Sequence, residues 1–466
     1  MFPFQNAQKV LPQIYSALAI GIAMFCLGFD QAWSSPAIPS LKEERRFNLT
    51  ETDLELITSI TPIGSFLGCL CVGVLTNVLG RRGTVLALSP LYIGSYLLTG
   101  FAIDPIMIVV GRFVCGFLAG VASPTAQIYI SEVSSPSIRG RLASLTGVFL
   151  TTGVLGAYSF GAFLNWKQLS FVAITFPALL GLFAIVIPES PVWYIMKKRD
   201  DSALNSLKRL RGRDTDLHGE FKIKKENSER IESKPNITLR SLTDPKFWKP
   251  LAISSMLMIF QQLSGNLAVV FNTVAIFEST GSTLNPAISS IVTGSVMVIS
   301  GIAVTFLIDK AGRKILLLLS SAGMAVSLSI LGTYFYMQAH CSPELMDSLS
   351  WLPLASLVAF FMFYGLGYNG IPFIILGELF PLRYRGICGS LSGGVNRLFA
   401  FIVVITFPLM QDSFGTYGCF WSYSACCFLS VFCVFFLLPE TKGKSLEDIE
   451  KLFGSSIAVE AVEQGF

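Results

Sequence analysis

Twelve stretches of this chain are long and apolar enough to cross a lipid bilayer, and no other feature narrows its fold so far. A hydrocarbon core of about 30 Å calls for about 20 apolar residues per helix. Such runs lie near residues 14–38, 54–76, 84–103, 106–131, 142–164, 168–188, 249–275, 286–308, 315–337, 351–377, 387–409 and 416–438. Inside lipid every backbone N–H and C=O must find its partner within the protein, so each run is expected to be a helix. Charge agrees: 14% of residues are Asp, Glu, Lys or Arg and 52% are hydrophobic, against about 25% charged in a soluble domain. That balance excludes a soluble enzyme, a nucleic-acid binder and a disordered chain. The first run is too long for the apolar core of a signal peptide and lacks a small-residue cleavage site, so it is expected to stay as the first span.

The runs divide six and six around a polar stretch. This predicts an all-α membrane protein made of two pseudo-symmetric six-helix bundles. Residues 1–188 form the first bundle, 189–248 a cytoplasmic linker with short helices, 249–438 the second bundle and 439–466 a cytoplasmic tail. Basic residues set the orientation, because cytoplasmic loops retain Lys and Arg. With both termini inside, 27 basic residues lie on the inner side and four on the outer. The sequon at Asn48 then faces out, where a glycan can be added, and the one at Asn236 faces in and should stay bare. The linker holds fourteen basic and nine acidic residues between Lys197 and Lys246, which suits a solvated loop with short amphipathic helices. A contact with lipid headgroups is the sharper alternative.

The halves carry the same punctuation in the same order. Gly80-Arg81-Arg82 matches Gly312-Arg313-Lys314. Glu132 with Arg139 matches Glu378 with Arg385. Pro188-Glu189-Ser190 matches Pro439-Glu440-Thr441. The offsets are 232, 246 and 251 residues, so a duplicated six-helix unit is expected. All copies fall on the predicted cytoplasmic side. There Arg81, Arg82, Glu132, Arg139, Arg313, Glu378 and Arg385 can form ion pairs between helices. A network of this kind, linking the two halves, would act as a cytoplasmic gate latch. The plainer alternative is helix-end capping together with topology signalling.

Within the first bundle Asp30 and Arg112 are the carboxylate and guanidinium that lie well inside apolar spans. At a rise of about 1.5 Å per residue they sit about 12 Å and about 9 Å from the same face, so they are expected to meet. The ten cysteines have no zinc spacing and nearly all sit in apolar runs, so they read as small buried hydrophobes. His218 and His340 are far apart in loops. No metal and no cofactor are expected, and no nucleophile constellation suggests an enzyme.

These motifs together resemble the sugar porter family of the major facilitator superfamily. The resemblance rests on GFD at 28–30, GRR at 80–82, GRFVCG at 111–116, SEVSSPSIRG at 131–140, PESPVW at 188–193, QQLSG at 261–265, DKAGRK at 309–314, GELFP at 377–381 and PETKGKSLEDIE at 439–450. The stretch AWSSPAIPSL at 32–41 is further similar to the insect trehalose-transporter-like branch. The resemblance implies alternating access by rocking of the two bundles about a central cavity. It also implies that Gln261 and Gln262 hydrogen-bond sugar hydroxyls, since an amide offers donor and acceptor together. Here the family's asparagine after QQLSG appears as Asn266, moved by one place. The fifth-span glutamine position is Gly147, the eighth-span asparagine position Thr293 and the tenth-span tryptophan position Phe373. The eleventh-span asparagine is kept as Asn396, followed by an unusual Arg397. Arg397 either snorkels to a headgroup or lines the cavity. An aspartate–arginine pair like Asp30 and Arg112 is typical of the family's proton symporters, while a permanent structural ion pair is the simpler reading. The implied activity is transport of trehalose or a hexose at the plasma membrane by a monomer, with the branch favouring facilitated transport over proton symport. A non-sugar solute carrier and a non-transporting sugar sensor are the rivals.

Overall fold

The computed structural model describes residues 4–442 apart from 45–46, 48, 136–137, 212–216, 233–244, 281–284 and 381–384. Asn48 and most of the tail therefore lie outside the described residues. The first half runs α1 (Phe4–Glu43), α2 (Glu51–Leu79), α3 (Arg81–Gly100), α4 (Pro105–Val133) and α5 (Arg139–Gly161), then α6 (Trp166–Ala173) and α7 (Thr175–Val186), which share one span. Three short helices follow: α8 (Pro191–Met196), α9 (Asp200–Arg211) and α10 (Leu217–Glu232). The second half holds α11 (Pro245–Leu263) with α12 (Asn266–Ser279) in one span, then α13 (Pro286–Ala311) and α14 (Arg313–His340). A short α15 (Pro343–Ser348) precedes α16 (Leu352–Leu366) with α17 (Ile371–Leu379) in one span, and α18 (Arg385–Leu437) closes the half.

Ten helical segments among the described residues are long and apolar enough to cross a membrane. One of them, Cys388–Leu437, turns at Gly415 (φ +70°) and makes two spans. The twelfth is α3, whose buried face carries Ser89, Tyr92, Ser95 and Tyr96 and is more polar than the rest. The six-and-six count thus stands, with two differences from the sequence expectation. The first helix reaches well past 14–38 at both ends. Three spans are broken: after Ala173, at Ser264–Gly265 and between Leu366 and Ile371. Such breaks are tolerated in a membrane only where protein or a cavity receives the freed backbone groups.

Local sequence explains where the helices begin. Thr50 and Asp53 cap each other at the head of α2, the Asp53 amide donating to Thr50 Oγ1 at 3.2 Å and the Thr50 amide to Asp53 Oδ2 at 2.9 Å. Asp104 and Asn285 cap α4 and α13 just before a proline at the first helical position. Packing then relies on close backbone approach, because lipid removes most of the hydrophobic drive between helices. A Cβ added at Gly116 of α4 would lie 2.1 Å from the Thr61 carbonyl of α2, and one at Gly120 would lie 2.1 Å from the Ser65 carbonyl. Outward, α2 presents Leu70 and Val74 and α18 presents Phe436, an apolar coat suited to acyl chains. All ten cysteines are free thiols and only Cys341 is exposed.

The polar linker is more firmly held than a solvated loop. Helix α9 buries Ala203, Leu207 and Leu210. Arg211 donates to the Val133 carbonyl at the end of α4 (2.8 Å) and forms two bonds with Glu220 of α10 (2.9 and 2.8 Å). These contacts anchor it to the first half.

Gly116→Leu should force α2 and α4 apart and cost about 1–3 kcal/mol or more, whereas Gly73→Ala, with nothing within 4 Å of the added carbon, should be neutral. Thermal unfolding of the detergent-purified variants followed by size-exclusion fluorescence checks this. Equal melting of both with the parent would contradict the packing.

Candidate functional site

At the end of the molecule where the repeated motifs lie, all three motif pairs converge, once in each half. Helices α3 and α14 start without a side-chain cap of their own, at Gly80 (φ +83°) and Gly312 (φ +89°). Distant carboxylates supply the caps. Glu189 accepts from the amides of Arg81 (2.9 Å), Arg82 (3.0 Å) and Gly83 (3.2 Å). Glu440 accepts from those of Arg313 and Lys314, both at 3.1 Å. A Cβ at Gly80 would lie 2.4 Å from the Glu189 carboxylate, so both the left-handed backbone and the carboxylate require glycine there. The first arginine of each motif reaches on to the glutamate that ends the fourth or tenth span. Arg81 Nη2 meets Glu132 Oε1 at 2.8 Å, and Arg313 Nη2 meets Glu378 Oε1 at 3.0 Å. The hydroxyls of Ser190 and Thr441 donate to the other oxygen of the same glutamates.

This geometry corrects the expected latch between the halves. Glu132 pairs with Arg81, and Arg139 is exposed and pairs with no carboxylate among the described residues. Arg385 opens α18, and its side chain is outside the described set. Each cluster also lies within its own half, so the described ion pairs stiffen the halves and do not tie them together. Arg82 caps the end of α7 through the carbonyls of Ala184 (2.8 Å) and Ile185 (2.7 Å).

Deep in the first half Arg112 and Asp30 meet as their depths predicted. Arg112 Nη1 donates to Asp30 Oδ1, while Nη2 donates to the Asp30 carbonyl at 2.9 Å and to Ser34 Oγ at 3.2 Å. The guanidinium also lies 4.7 Å from the centre of the Trp33 ring. The other carboxylate oxygen, Oδ2, is buried without a partner. Asp30 borders a small cavity between the halves, about 280 Å³ up to its mouth. Gln31, Thr61 and Ser65 line it from the first half, and Leu267, Phe271, Arg397 and Ala400 from the second. Arg397 therefore lines the cavity instead of snorkelling, about 18 Å along α18 from its start. It has no carboxylate within ion-pair distance among the described residues. On insertion scales a lone charge at such depth costs about 2.5–3.5 kcal/mol.

Hydrogen bonds join the halves at the end opposite the motifs. Tyr158 OH on α5 bonds the Val270 carbonyl (2.8 Å) and Thr273 Oγ1 (2.9 Å) on α12, and the Val274 amide donates to Ser35 Oγ on α1 (3.0 Å). These three bonds cross from one half to the other.

The model of the family described as "Sugar (and other) transporter" matches residues 16–453. The chain belongs to the sugar transporter family. It is 36% identical over 452 residues to the facilitated trehalose transporter Tret1 of Anopheles gambiae, covering 96% of this chain and 57% of that one. For Tret1 of Drosophila erecta the values are 35%, 96% and 53%. The chain thus spans about half the length of the curated relatives it matches. The proton:xylose symporter XylE bound to 6-bromo-6-deoxy-D-glucose superposes with a TM-score of 0.78 at 23% identity, over 95% of this chain and 99% of that one. The inward-open xylose transporter XylE from E. coli gives 0.76 at 23%, over 94% and 99%. These matches establish the major facilitator fold.

The residues expected to bind sugar in this family member are partly brought together. Gln261 and Asn396 touch, with Asn396 Nδ2 donating to Gln261 Oε1 at 2.7 Å and to the Met258 carbonyl at 3.3 Å. Gln261 Nε2 in turn donates to the Tyr368 carbonyl at 2.5 Å, a group freed by the break between α16 and α17. Gln262 and Asn266 flank the other break, at Gly265, and each keeps a buried oxygen, Oε1 and Oδ1, without a partner. Phe373 is half-buried on α17, and Thr293 is bonded to its own helix at the Ser290 carbonyl (2.8 Å). Asn369 escaped the sequence reading. It lies in the break of the tenth span, and its Nδ2 would be 3.6 Å from a Cβ at Gly147 and 3.9 Å from one at Gly301. A lone amide in the glycine-rich run 365–370 was the signal available. Gln31, next to Asp30, was overlooked as well.

Two outcomes follow. Burial pushes the Glu440 carboxyl up, but four backbone N–H groups outweigh it and hold the acid below its ordinary value. A depressed carboxyl contributes stability above its unfolded pKa and loses it as pH falls through the folded one. Glu440→Gln should thus lower the melting temperature at neutral pH, with the gap to the parent closing in acid; a gap independent of pH would exclude the cap. Asp30→Ala should cost about 3–5 kcal/mol by stranding Arg112, with Asp30→Ala/Arg112→Leu recovering much of it in the same melting assay.

Proposed function

We propose that this chain carries a sugar, trehalose or a hexose, across the plasma membrane by alternating access, as a facilitator and a monomer, with both termini cytoplasmic. The observation that carries this reading is the asymmetry of contact between the halves. Each half is braced internally at the motif end by its own arginine–glutamate cluster. The bonds from Tyr158 and Ser35 to α12, which join the halves, lie at the other end. With the basic end facing the cytoplasm, this is a carrier closed on its outer side. Tret1 relatives, named as facilitated trehalose transporters, support the substrate and the mode. Gln262 and Asn266 are assigned to the sugar, since their buried acceptors have no protein donor and a sugar hydroxyl would supply one. Their place beside a helix break adds support, because half-helices at mid-membrane are where such carriers build their sites. The basic end is assigned as a gate whose two clusters shift as rigid units. The Asp30–Arg112 pair favours a second reading, proton symport, in which a proton on Asp30 would release Arg112.

Radiolabelled trehalose, glucose and fructose offered to cells lacking endogenous carriers test this. Uptake of at least one is expected, unchanged when the proton gradient is collapsed. Gln262→Ala should lower it about tenfold, the worth of one hydrogen bond of about 1.4 kcal/mol, at normal surface expression. Uptake equal to the parent's in that variant would remove the ligand assignment, and uptake abolished by a protonophore would favour symport.

A further inference from the structure

We propose that the cavity between Asp30 and Arg397 accepts a sugar bearing a single carboxylate, a hexuronate, with Arg397 as the residue that receives the carboxylate. This rests on the transport reading above and extends it to a charged class of substrate. Three ionised groups stand at or beside the cavity. Asp30 and Arg112 cancel one another within the first half. Arg397, from the second half, lines the same cavity, and among the described residues no carboxylate lies within ion-pair distance of it, so among the described groups its positive charge is left unmatched. A monoanion restores neutrality, where a neutral sugar leaves the guanidinium unmatched and a doubly charged phosphate ester overshoots.

The form of the cavity fits the same ligand. A guanidinium offers a planar fork of N–H donors that a carboxylate meets with two parallel bonds. From the first half the cavity is lined by Ser65, whose hydroxyl is buried and without a partner, and by Gln31. These suit the hydroxyls of a sugar ring. Leu267, Phe271 and Ala400 form the apolar side, against which the C–H face of a pyranose can lie. Arg397 is half-buried, so it is reachable from the cavity and not sealed among side chains. In the closed form seen here there is room for about one water, near 10 Å³, so the ligand enters when the halves part.

The full-length protein in proteoliposomes of neutral lipid provides the test, with labelled glucuronate, trehalose and glucose 6-phosphate offered to the parent, Arg397→Gln and Arg397→Lys. Glucuronate uptake by the parent is expected, exceeding that of glucose 6-phosphate. The ratio of glucuronate to trehalose uptake should fall roughly ten- to hundredfold in Arg397→Gln, the range for hydrogen bonds to a charged group, and less in Arg397→Lys. The ratio is independent of how much protein folds. For a variant that transports nothing, glucuronate competition against trehalose uptake by the parent decides in its place. Trehalose uptake with no glucuronate uptake or competition overturns this inference and leaves the transport reading standing. Glucuronate uptake with an unchanged ratio in Arg397→Gln overturns the role of Arg397. Preference for the phosphate ester overturns the single-carboxylate assignment, and uptake of none of the three overturns both readings.

Discussion

The start of a helix at the membrane face leaves backbone N–H groups that must be satisfied by something, and in this protein the partner is a glutamate more than a hundred residues away. Glu189 holds the head of α3 and Glu440 the head of α14. Around each of these points the ends of further helices collect. The arginine whose amide is capped sends its side chain to the glutamate closing the fourth or tenth span, and a Ser or Thr next to the capping glutamate bonds that same carboxylate. One carboxylate, one guanidinium, one more carboxylate and one hydroxyl thus fix three helix ends. Single exposed ion pairs are worth about 0–1 kcal/mol. These are shielded, with only 9% of the Arg81 side chain and 14% of the Glu132 side chain accessible. They are also charge-assisted at both ends, so they define a rigid unit where scattered surface pairs would not.

Rigidity within each half gives the contacts between the halves their meaning. Two stiff bodies that share a few hydrogen bonds at one end can pivot there without loss of internal order. The broken spans lie where such a motion needs adjustable backbone. The seventh breaks at Gly265 and the tenth between Leu366 and Ile371. Gln261 bridges them by taking the Tyr368 carbonyl, so the freed backbone of one break is satisfied from beside the other.

Much of this was legible beforehand. Span number follows from bilayer thickness, duplication from three motif offsets, and the Asp30–Arg112 contact from counting residues along two helices. What the chain did not disclose has physical reasons. The repeated motifs marked Glu132, Arg81 and Arg139 as ion-pair formers without choosing partners, since spacing along a chain says nothing of which neighbouring helix end is nearer, and Arg81 is. The first of the paired glutamines looked free to bind a ligand, but a helix break elsewhere in the chain supplied a carbonyl that claims it. Arg397 offered two directions, lipid headgroup or cavity, and only the rotation of α18 against α2 chooses between them.

The energies involved suit the proposed carrier. A hydrogen bond exchanged with water or another partner contributes about 1 kcal/mol, so the three from Tyr158 and Ser35 contribute about 3 kcal/mol to holding the halves together at that end. At about 1.4 kcal/mol per factor of ten, that is about a hundredfold. A ligand can shift an equilibrium only by the difference of its affinity for the two forms, and a sugar making two or three extra hydrogen bonds in one of them commands a difference of this size. Had the arginine–glutamate clusters bridged the halves, opening would have required breaking shielded, charge-assisted pairs at several kcal/mol each, beyond the reach of a neutral solute. With the described arginine–glutamate pairs kept inside the halves and neutral hydroxyl and amide bonds joining them at the Tyr158 end, the step that the proposed carrier requires stays within the range that binding of a solute can control.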